Sequence, residues 1–233
     1  MSVITLDVVL ILPPQLRDLA VATSNHLADA MSDVGGAAFR LGEDFPGRDD
    51  GPCEPHISLF MMAVDETEVA EVAAAVADAA RTVTPVAASA VKYRHNHEGA
   101  PEVFFDRSDE FRAVQRAVVT AAEPLRRGRI RELDPGGNPL AAVLQDPNPK
   151  DPARVRQLRT YGFDDVSDDQ DDRFNPHVTL TWPVDETSRV DLGTLCAPAD
   201  FSGLLTDVAL YGMAPNGTCT RRYGSWTLTG DPV

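Results

Sequence analysis

Two short stretches of the sequence carry the same pattern of chemically useful side chains. Pro55-His56-Ile57-Ser58-Leu59 reads proline, histidine, aliphatic, hydroxyl, leucine, and Pro176-His177-Val178-Thr179-Leu180 repeats that order 121 residues later. The likeness continues, because Val64-Asp65-Glu66-Thr67 follows the first stretch as Val184-Asp185-Glu186-Thr187 follows the second. Agreement over this length indicates a duplicated unit.

Two histidines and two hydroxyls suit the cleavage of a phosphodiester without a metal ion. One imidazole can take a proton from the attacking hydroxyl or water while the other gives a proton to the departing oxygen, since an ordinary pKa of about 6.5 allows both forms near neutrality. Hydroxyls can donate hydrogen bonds to the non-bridging phosphoryl oxygens, where negative charge must be held. The candidates are His56 and His177 for the proton transfers, and Ser58 and Thr179 for the phosphate.

Each stretch is expected to form a β-strand, because aliphatic and β-branched residues favour extended chain and a proline fits the start of a strand. Side chains alternate between the faces of a strand, so His56 and Ser58 should share one face, roughly 7 Å apart at the backbone. Ile57 and Leu59 then point into the core. Duplicated halves commonly pack about a pseudo-twofold axis, so the two motifs should face each other across a shared cleft.

Two His-x-Ser/Thr motifs on strands of a duplicated chain resemble the 2H phosphoesterase superfamily, which includes LigT-like RNA 2′,3′-cyclic phosphodiesterases, 2′-5′ RNA ligases and plant-type cyclic phosphodiesterases. The resemblance implies that His56 and His177 are catalytic and that Ser58 and Thr179 bind phosphate. It also implies a bilobal α+β fold, with two antiparallel sheets and outer helices around a central cleft. The separation of 121 residues is long for such enzymes and suggests an insertion between the halves.

The leading functional expectation is metal-independent hydrolysis of a cyclic or 2′-linked phosphodiester, in a 2′,3′-cyclic nucleotide or an RNA end, without a cofactor. Two alternatives stay open. The chain could bind a nucleotide or RNA terminus without turnover, or apply acid-base chemistry to a metabolite that is not a nucleotide. The sequence does not distinguish base from acid, because the duplication makes the two histidines look alike.

The charge balance narrows the choice of partner. The chain has 36 acidic and 21 basic residues, a formal net charge of -15, which argues against non-specific binding of long duplex nucleic acid. A small phosphorylated nucleotide or a short RNA end fits better. With 43% hydrophobic residues, the 233-residue chain can bury a substantial core. We expect a monomer with one bilobal domain over 1–233, in which residues 1–125 and 126–233 are approximate repeats.

The cysteines and the first residues of the chain indicate the cellular compartment in which we expect the protein. Cys53, Cys196 and Cys219 lie far apart, without the Cys-x-x-Cys spacing of a zinc knuckle, and indicate no disulfide framework. This favours the cytoplasm. The first apolar run contains Asp7 and ends at Pro13-Pro14, so neither a signal peptide nor a membrane span is expected.

Hydrophobic periodicity and turn residues predict the remaining elements. The expected strands cover 3–12, 37–41, 56–62, 83–94, 102–106, 140–144, 176–182, 199–212 and 221–229. The expected helices run to about Ser32, from a capping box at Asp65 to about Ala80, from a cap at Ser108 to about Pro124, and over 152–161.

Three further segments carry charge. The basic stretch Arg126–Arg131 could line the phosphate cleft or form a solvated link, and the aspartates of 164–172 are expected in a mobile solvent loop. His95-Asn96-His97-Glu98 is assigned to a hairpin loop in preference to a metal site, because no further ligands complete a set. Additional hypotheses for ligand contact concern Lys92, Arg94 and Arg222 as phosphate neighbours, and Phe60, Tyr93, Trp182 and Tyr211 as stacking partners for a base.

Overall fold

The computed structural model describes residues 2–230, which form two four-stranded antiparallel sheets with helices packed outside them. The first sheet has the order β2-β1-β7-β8 and the second β5-β4-β3-β6. This confirms the predicted α+β class with two antiparallel sheets. The strands are β1 (Val3–Ile11), β2 (His56–Asp65), β3 (Val86–His95), β4 (Pro101–Phe105), β5 (His177–Thr179), β6 (Ser202–Leu205), β7 (Asp207–Met213) and β8 (Cys219–Thr227). The α-helices are α1 (Pro14–Met31), α2 (Val69–Ala80), α3 (Asp109–Ala122), α4 (Leu140–Gln145) and α5 (Pro152–Tyr161).

The two motif strands lie at the edges of different sheets and contact each other there. Strand β2 is the outer strand of the first sheet, β5 is the outer strand of the second, and the two are in contact. Each sheet also takes two strands from residues 1–125 and two from residues 126–233. The sheets therefore meet along the motifs, and neither sheet is built by one predicted repeat alone.

The motif strands show the predicted alternation of side chains. Ile57 and Leu59 of β2 are fully buried, and Val178 and Leu180 in and beside β5 are buried almost completely. The histidine and hydroxyl residues between them are half-buried. A period of two places the aliphatic residues in the core and leaves the polar ones facing the space between the sheets.

Local capping interactions begin two of the helices as the sequence predicts. Asp65 accepts a hydrogen bond from the Thr67 backbone N–H at 3.0 Å, and its own N–H donates to Glu68 Oε2 at 3.0 Å. This capping box closes β2 and leads through a short 3₁₀ turn into α2. Ser108 caps α3 by accepting a hydrogen bond from the Phe111 N–H at 3.3 Å.

Several predicted elements differ in the structure. The strand expected at 37–41 is only an isolated bridge between Ala37 and Pro183. The strand expected at 140–144 is wrong, because these residues form the short helix α4; a short apolar run has no periodicity that separates the two states. The segment 199–212 is not one strand: β6 pairs with β3, whereas β7 pairs with β1 and β8.

The aspartate-rich segment is not the expected solvent loop, because arginines hold several of its carboxylates. Asp164 accepts from Arg154 at 2.6 Å, and Asp168 and Asp171 lie 2.8 and 2.9 Å from Arg156 Nη2. Both arginines lie on α5, so the helix fixes the segment that follows it.

A buried glutamine joins this segment to the first motif strand. The Gln115 amide, fully buried on α3, donates to the carbonyl oxygens of Leu59 at 3.1 Å and Asp165 at 2.6 Å, and it accepts from the Ser167 N–H at 2.9 Å. Three backbone groups of two segments are thus satisfied by one side chain. None of the helices within residues 2–230 combines the length and apolar character needed to cross a membrane.

Candidate active site

The structure brings the four predicted residues together in one cavity of about 510 Å³. His56 and Ser58 reach it from β2, and His177 and Thr179 reach it from β5. The His56 side chain is 12% exposed and that of His177 is 28% exposed, so solvent reaches both rings. The two motifs therefore share one open space.

Both histidine rings are held by the same hydrogen bond. His56 Nδ1 lies 2.6 Å from the carbonyl oxygen of Glu54, and His177 Nδ1 lies 2.7 Å from that of Asn175, in each case two residues earlier in the chain. A carbonyl oxygen can only accept, so Nδ1 must carry the proton in both rings. This leaves each Nε2 as the atom that can take or give a proton.

The surroundings of His56 favour the neutral ring. Burial lowers the pKa of His56, and the nearby His177 lowers it further. Its Nε2 lies 3.6 Å from Cys219 Sγ and 3.8 Å from Asp7 Oδ2. His56 is thus prepared to accept a proton at neutral pH.

The surroundings of His177 favour the charged ring. Burial opposes the charge, but the carboxylates of Glu102 and Asp165 outweigh that effect and raise the pKa of His177. Glu102 Oε1 lies 3.7 Å from His177 Nε2, and the ring of Phe104 stacks on the imidazole with centroids 5.4 Å apart. His177 is thus prepared to donate a proton, so two rings that look equivalent in sequence are opposite in their electrostatics.

Below the first motif lies a buried carboxyl group, Asp7 of β1. It has no exposed surface, and its Oδ2 accepts a hydrogen bond from Ser58 Oγ at 2.6 Å. Burial raises the pKa of Asp7 to about 7, although the Ser58 hydrogen bond acts to lower it. While Asp7 is ionised, the Ser58 hydroxyl proton is directed at the carboxylate and away from the cavity.

Asp7, His56 and Cys219 also come close enough to one another for a metal ion to be considered. One ligand atom from each lies within 4.8 Å of the others. Without a metal, burial raises the pKa of the Cys219 thiol well above its usual range, so the thiol keeps its proton. Cys219 Sγ then lies 3.9 Å from Asp7 Oδ2 and 3.6 Å from His56 Nε2, and the three side chains form a polar cluster beneath the motif.

The later part of the segment between the motifs, residues 131–173, supplies one wall of the cavity. Phe163 contributes an aromatic ring there, and the remaining side chains are mainly arginines and carboxylates. The lining residues from this segment are Arg131, Asp134, Pro135, Gly136, Asp151, Arg154, Phe163, Asp164, Asp165 and Arg173. The arginines of the basic stretch 126–131 have different roles. Arg131 lines the cavity, whereas Arg126 is buried and donates to the carbonyl oxygens of Arg129 and Thr160.

Only some of the residues proposed to contact a ligand line the cavity. Arg94 and Trp182 line the cavity. Phe60 is fully buried and packs against Phe163, so it is not available to a base. Tyr93 packs edge-on against Phe201, so its ring contributes to the packing of the fold.

Among the basic candidates, Lys92 and Arg94 both lie over the Phe104 ring. Tyr211 is buried in a small cluster with Cys219. Arg222 lies opposite Tyr211 in the register of β7 and β8.

His97 and Glu98, from the hairpin loop, also reach the cavity. They pair with each other at 2.7 Å between Nε2 and Oε1.

The sequence predicts only some of the charged residues around the motifs. The basic stretch places Arg131 among the candidates for the phosphate cleft, whereas Asp7, Glu102 and Asp165 belong to no repeated pattern. Asp7 did leave a signal, because it is the single charged residue in the largely apolar run of β1. A charge in a strand that is buried on both sides usually has a partner, here Ser58.

No family model and no curated protein matches the sequence. The structure is similar over its whole length to solved structures. It matches TT0787 of Thermus thermophilus with a TM-score of 0.56 and 14% identity, covering 98% of this chain and 100% of that one. It matches E. coli LigT in apo form with a TM-score of 0.53 and 12% identity, covering 98% and 99% of the two chains.

E. coli LigT complexed with 3′-AMP gives a TM-score of 0.52 and 12% identity, with 97% and 98% covered. Structures of that protein complexed with NADP+ and with ATP are matched at a TM-score of 0.51 each, with 11% and 12% identity and 98% and 99% covered. At such identities the likeness concerns architecture. The chain has the LigT-like fold, as the two His-x-Ser/Thr motifs predict.

Proposed function

We propose that this chain is a phosphodiesterase that hydrolyses a cyclic or 2′-linked phosphodiester, in a 2′,3′-cyclic nucleotide or at an RNA end. One observation carries the proposal. The matching Nδ1 hydrogen bonds of His56 and His177 leave both Nε2 atoms as the working nitrogens of a single cavity. Two positioned imidazoles suffice for acid-base cleavage, so the proposed reaction needs no metal ion.

The opposite pKa shifts of the two histidines support one assignment of the roles. His56, with its lowered pKa, takes a proton from water as that oxygen forms a bond to phosphorus. His177, with its raised pKa, gives a proton to the ribose oxygen as the bond from phosphorus to that oxygen breaks. The attacking and departing groups lie on opposite sides of phosphorus in an in-line displacement, which is why two separate proton carriers are useful.

The hydroxyls of Ser58 and Thr179 would hold the phosphoryl oxygens. Ser58 can do so fully when Asp7 is protonated, because the carboxylic acid then donates to Ser58 Oγ and frees the hydroxyl proton for the phosphate. A pKa of about 7 makes this form accessible near neutrality. Asp7 is therefore a positioning residue for Ser58.

The proposed substrate is a small nucleotide or short RNA end. E. coli LigT, whose fold this chain shares, has been solved in complexes with 3′-AMP, ATP and NADP+. The net charge of -15 and the carboxylates in the cavity wall also favour a compact ligand over a long polyanion. The monomeric state, the cytoplasmic setting and the origin of the fold by duplication remain predictions.

The first prediction concerns turnover. With a chelator present, the wild-type protein should hydrolyse 2′,3′-cyclic mononucleotides, and His56→Ala or His177→Ala should each lower kcat/KM by at least about 100-fold. His26→Ala is the matched control, because that histidine is exposed on α1 and should leave the rate unchanged. Tight nucleotide binding without turnover would instead support a binding protein, and neither binding nor turnover would favour a different metabolite.

The second prediction assigns base and acid. Wild-type kcat/KM should be bell-shaped in pH, falling on the acid side as His56 becomes protonated and on the alkaline side as His177 loses its proton. His56→Ala should lose the fall on the acid side, whereas His177→Ala should keep it and show on the alkaline side only the weaker phosphate binding that follows ionisation of Asp7. The measurement is the pH-rate profile of each variant. If His177→Ala, and not His56→Ala, lost the fall on the acid side, the assignment of base and acid would be reversed.

The third prediction concerns Asp7 and stability. Because its pKa is about 7 in the folded protein and ordinarily 3.8, the folded state binds the extra proton between these values. The free energy of unfolding should therefore fall as pH rises through this window, by up to about 4 kcal/mol from this group. Asp7→Asn should reduce that fall in urea unfolding measured at about pH 5 and about pH 8. Asp29→Asn, at an exposed position, is the control, and an unchanged slope in Asp7→Asn would refute the shift.

A further inference from the structure

Arg131 has an incomplete set of hydrogen bonds in the wall of the cavity. Its side chain is only 1% exposed, and its Nη1 donates to Met61 Sδ at 3.2 Å. Its Nε and Nη2 have no hydrogen-bond partner among residues 2–230. Leaving two donors of a buried charged group unpaired is unfavourable, so a partner for them is expected.

The two unpaired donors are adjacent on one edge of the guanidinium. This edge presents two parallel N–H groups, the geometry that pairs with two oxygens of a phosphate or carboxylate. The ring of Phe163 lies 5.7 Å from the guanidinium carbon and supports its plane. The edge is thus pre-oriented for an oxyanion.

The nearest carboxylate does not fill this edge. Asp164 Oδ1 lies 3.8 Å from Arg131 Nη2, beyond hydrogen-bond distance, and Asp164 Oδ2 accepts from Arg154 Nε at 2.6 Å. Arg154 also pairs with Asp134 at 3.2 Å, and Arg173 pairs with Asp151 at 2.7 Å. The other two arginines that this segment places in the wall therefore have protein partners, whereas the Nε–Nη2 edge of Arg131 does not.

Arg131 contacts the first sheet at a different strand position from the motif hydroxyl. Its contact Met61 is paired with Asp7 across the first sheet, whereas Ser58 is paired with Val9. The two pairs are two residues apart along β1, or roughly 7 Å. The strand position that Arg131 contacts is therefore offset along β2 from the position of Ser58.

We propose that the Nε–Nη2 edge of Arg131 is a second anion subsite, which binds a phosphate group of the substrate other than the phosphodiester that is cleaved. The inference rests on the proposed function for the location of the first phosphate. A nucleoside whose 2′ and 3′ oxygens face the histidines has one other ribose oxygen to carry phosphate, the 5′ oxygen. The substrate class is thus a cyclic or 2′-linked phosphodiester that also bears a 5′-phosphate.

The test compares the binding of 3′-AMP and adenosine 3′,5′-bisphosphate to the full chain by calorimetry. Wild type should bind the bisphosphate about tenfold or more tightly, since two charge-assisted hydrogen bonds are added. Arg131→Gln should lose this preference and keep its affinity for 3′-AMP. The matched control is Arg81→Gln, because that arginine is exposed beyond the end of α2 and should leave the preference intact.

Equal affinity of wild type for the two ligands would overturn the subsite. An equal loss of affinity for both ligands in Arg131→Gln would also overturn it, because that result would show that Arg131 holds the first phosphate. Should that variant fail to fold, the Nε–H proton resonance of Arg131 in wild type decides: a shift with the bisphosphate that 3′-AMP does not produce supports the subsite, and its absence refutes it.

Binding is measured without turnover, so the two proposals fail separately. An Arg131-dependent preference for the bisphosphate in a protein that hydrolyses nothing would retain the subsite and reject the enzyme. Hydrolysis of a cyclic nucleotide with no such preference would retain the enzyme and reject the subsite.

Discussion

The candidate active site depends on one hydrogen bond that the protein makes twice, from histidine Nδ1 to the carbonyl oxygen two residues earlier. The bond needs the chain before each histidine to turn its carbonyl toward the ring, and Pro55 and Pro176 stand at the residue between the two partners. Proline restricts its own φ and the conformation of the residue before it, so the turn is set locally. In each edge strand, Nε2 is thereby left as the ring nitrogen that can exchange a proton, and both histidines line the shared cavity.

The same bond on two rings does not make the rings equivalent, because the sheets around them differ. His56 faces Asp7 and Cys219, a buried cluster on the strands of the first sheet whose acidic groups tend to hold their protons. His177 faces Glu102 on its neighbouring strand and Asp165 in the segment that Gln115 anchors. A symmetric pair of motifs thus acquires an asymmetric field, which is what a reaction with one base and one acid requires.

The fold and the central residues could be predicted from sequence because their information is local and repeated. The alternation of Ile57, Leu59, Val178 and Leu180 defines the buried faces of both motif strands, and the capping box at Asp65 marks a helix start. Apart from Arg131 in the basic stretch, the wall of the cavity could not be predicted, because it depends on contacts between distant residues. Arg154 and Arg156 form ion pairs with aspartates that the sequence predicts in a solvent loop. Arg131 contacts Met61, seventy residues earlier in the chain. Nothing in the run Leu140–Leu144 distinguishes a helix from a strand.

If both Nε2 atoms act on a single bound phosphate, nitrogen-15 NMR of the histidine rings during a titration with 3′-AMP should show it. The Nε2 signals of His56 and His177 should both move and follow one saturation curve, while both Nδ1 atoms stay protonated. A response from only one ring, or two different saturation curves, would contradict it.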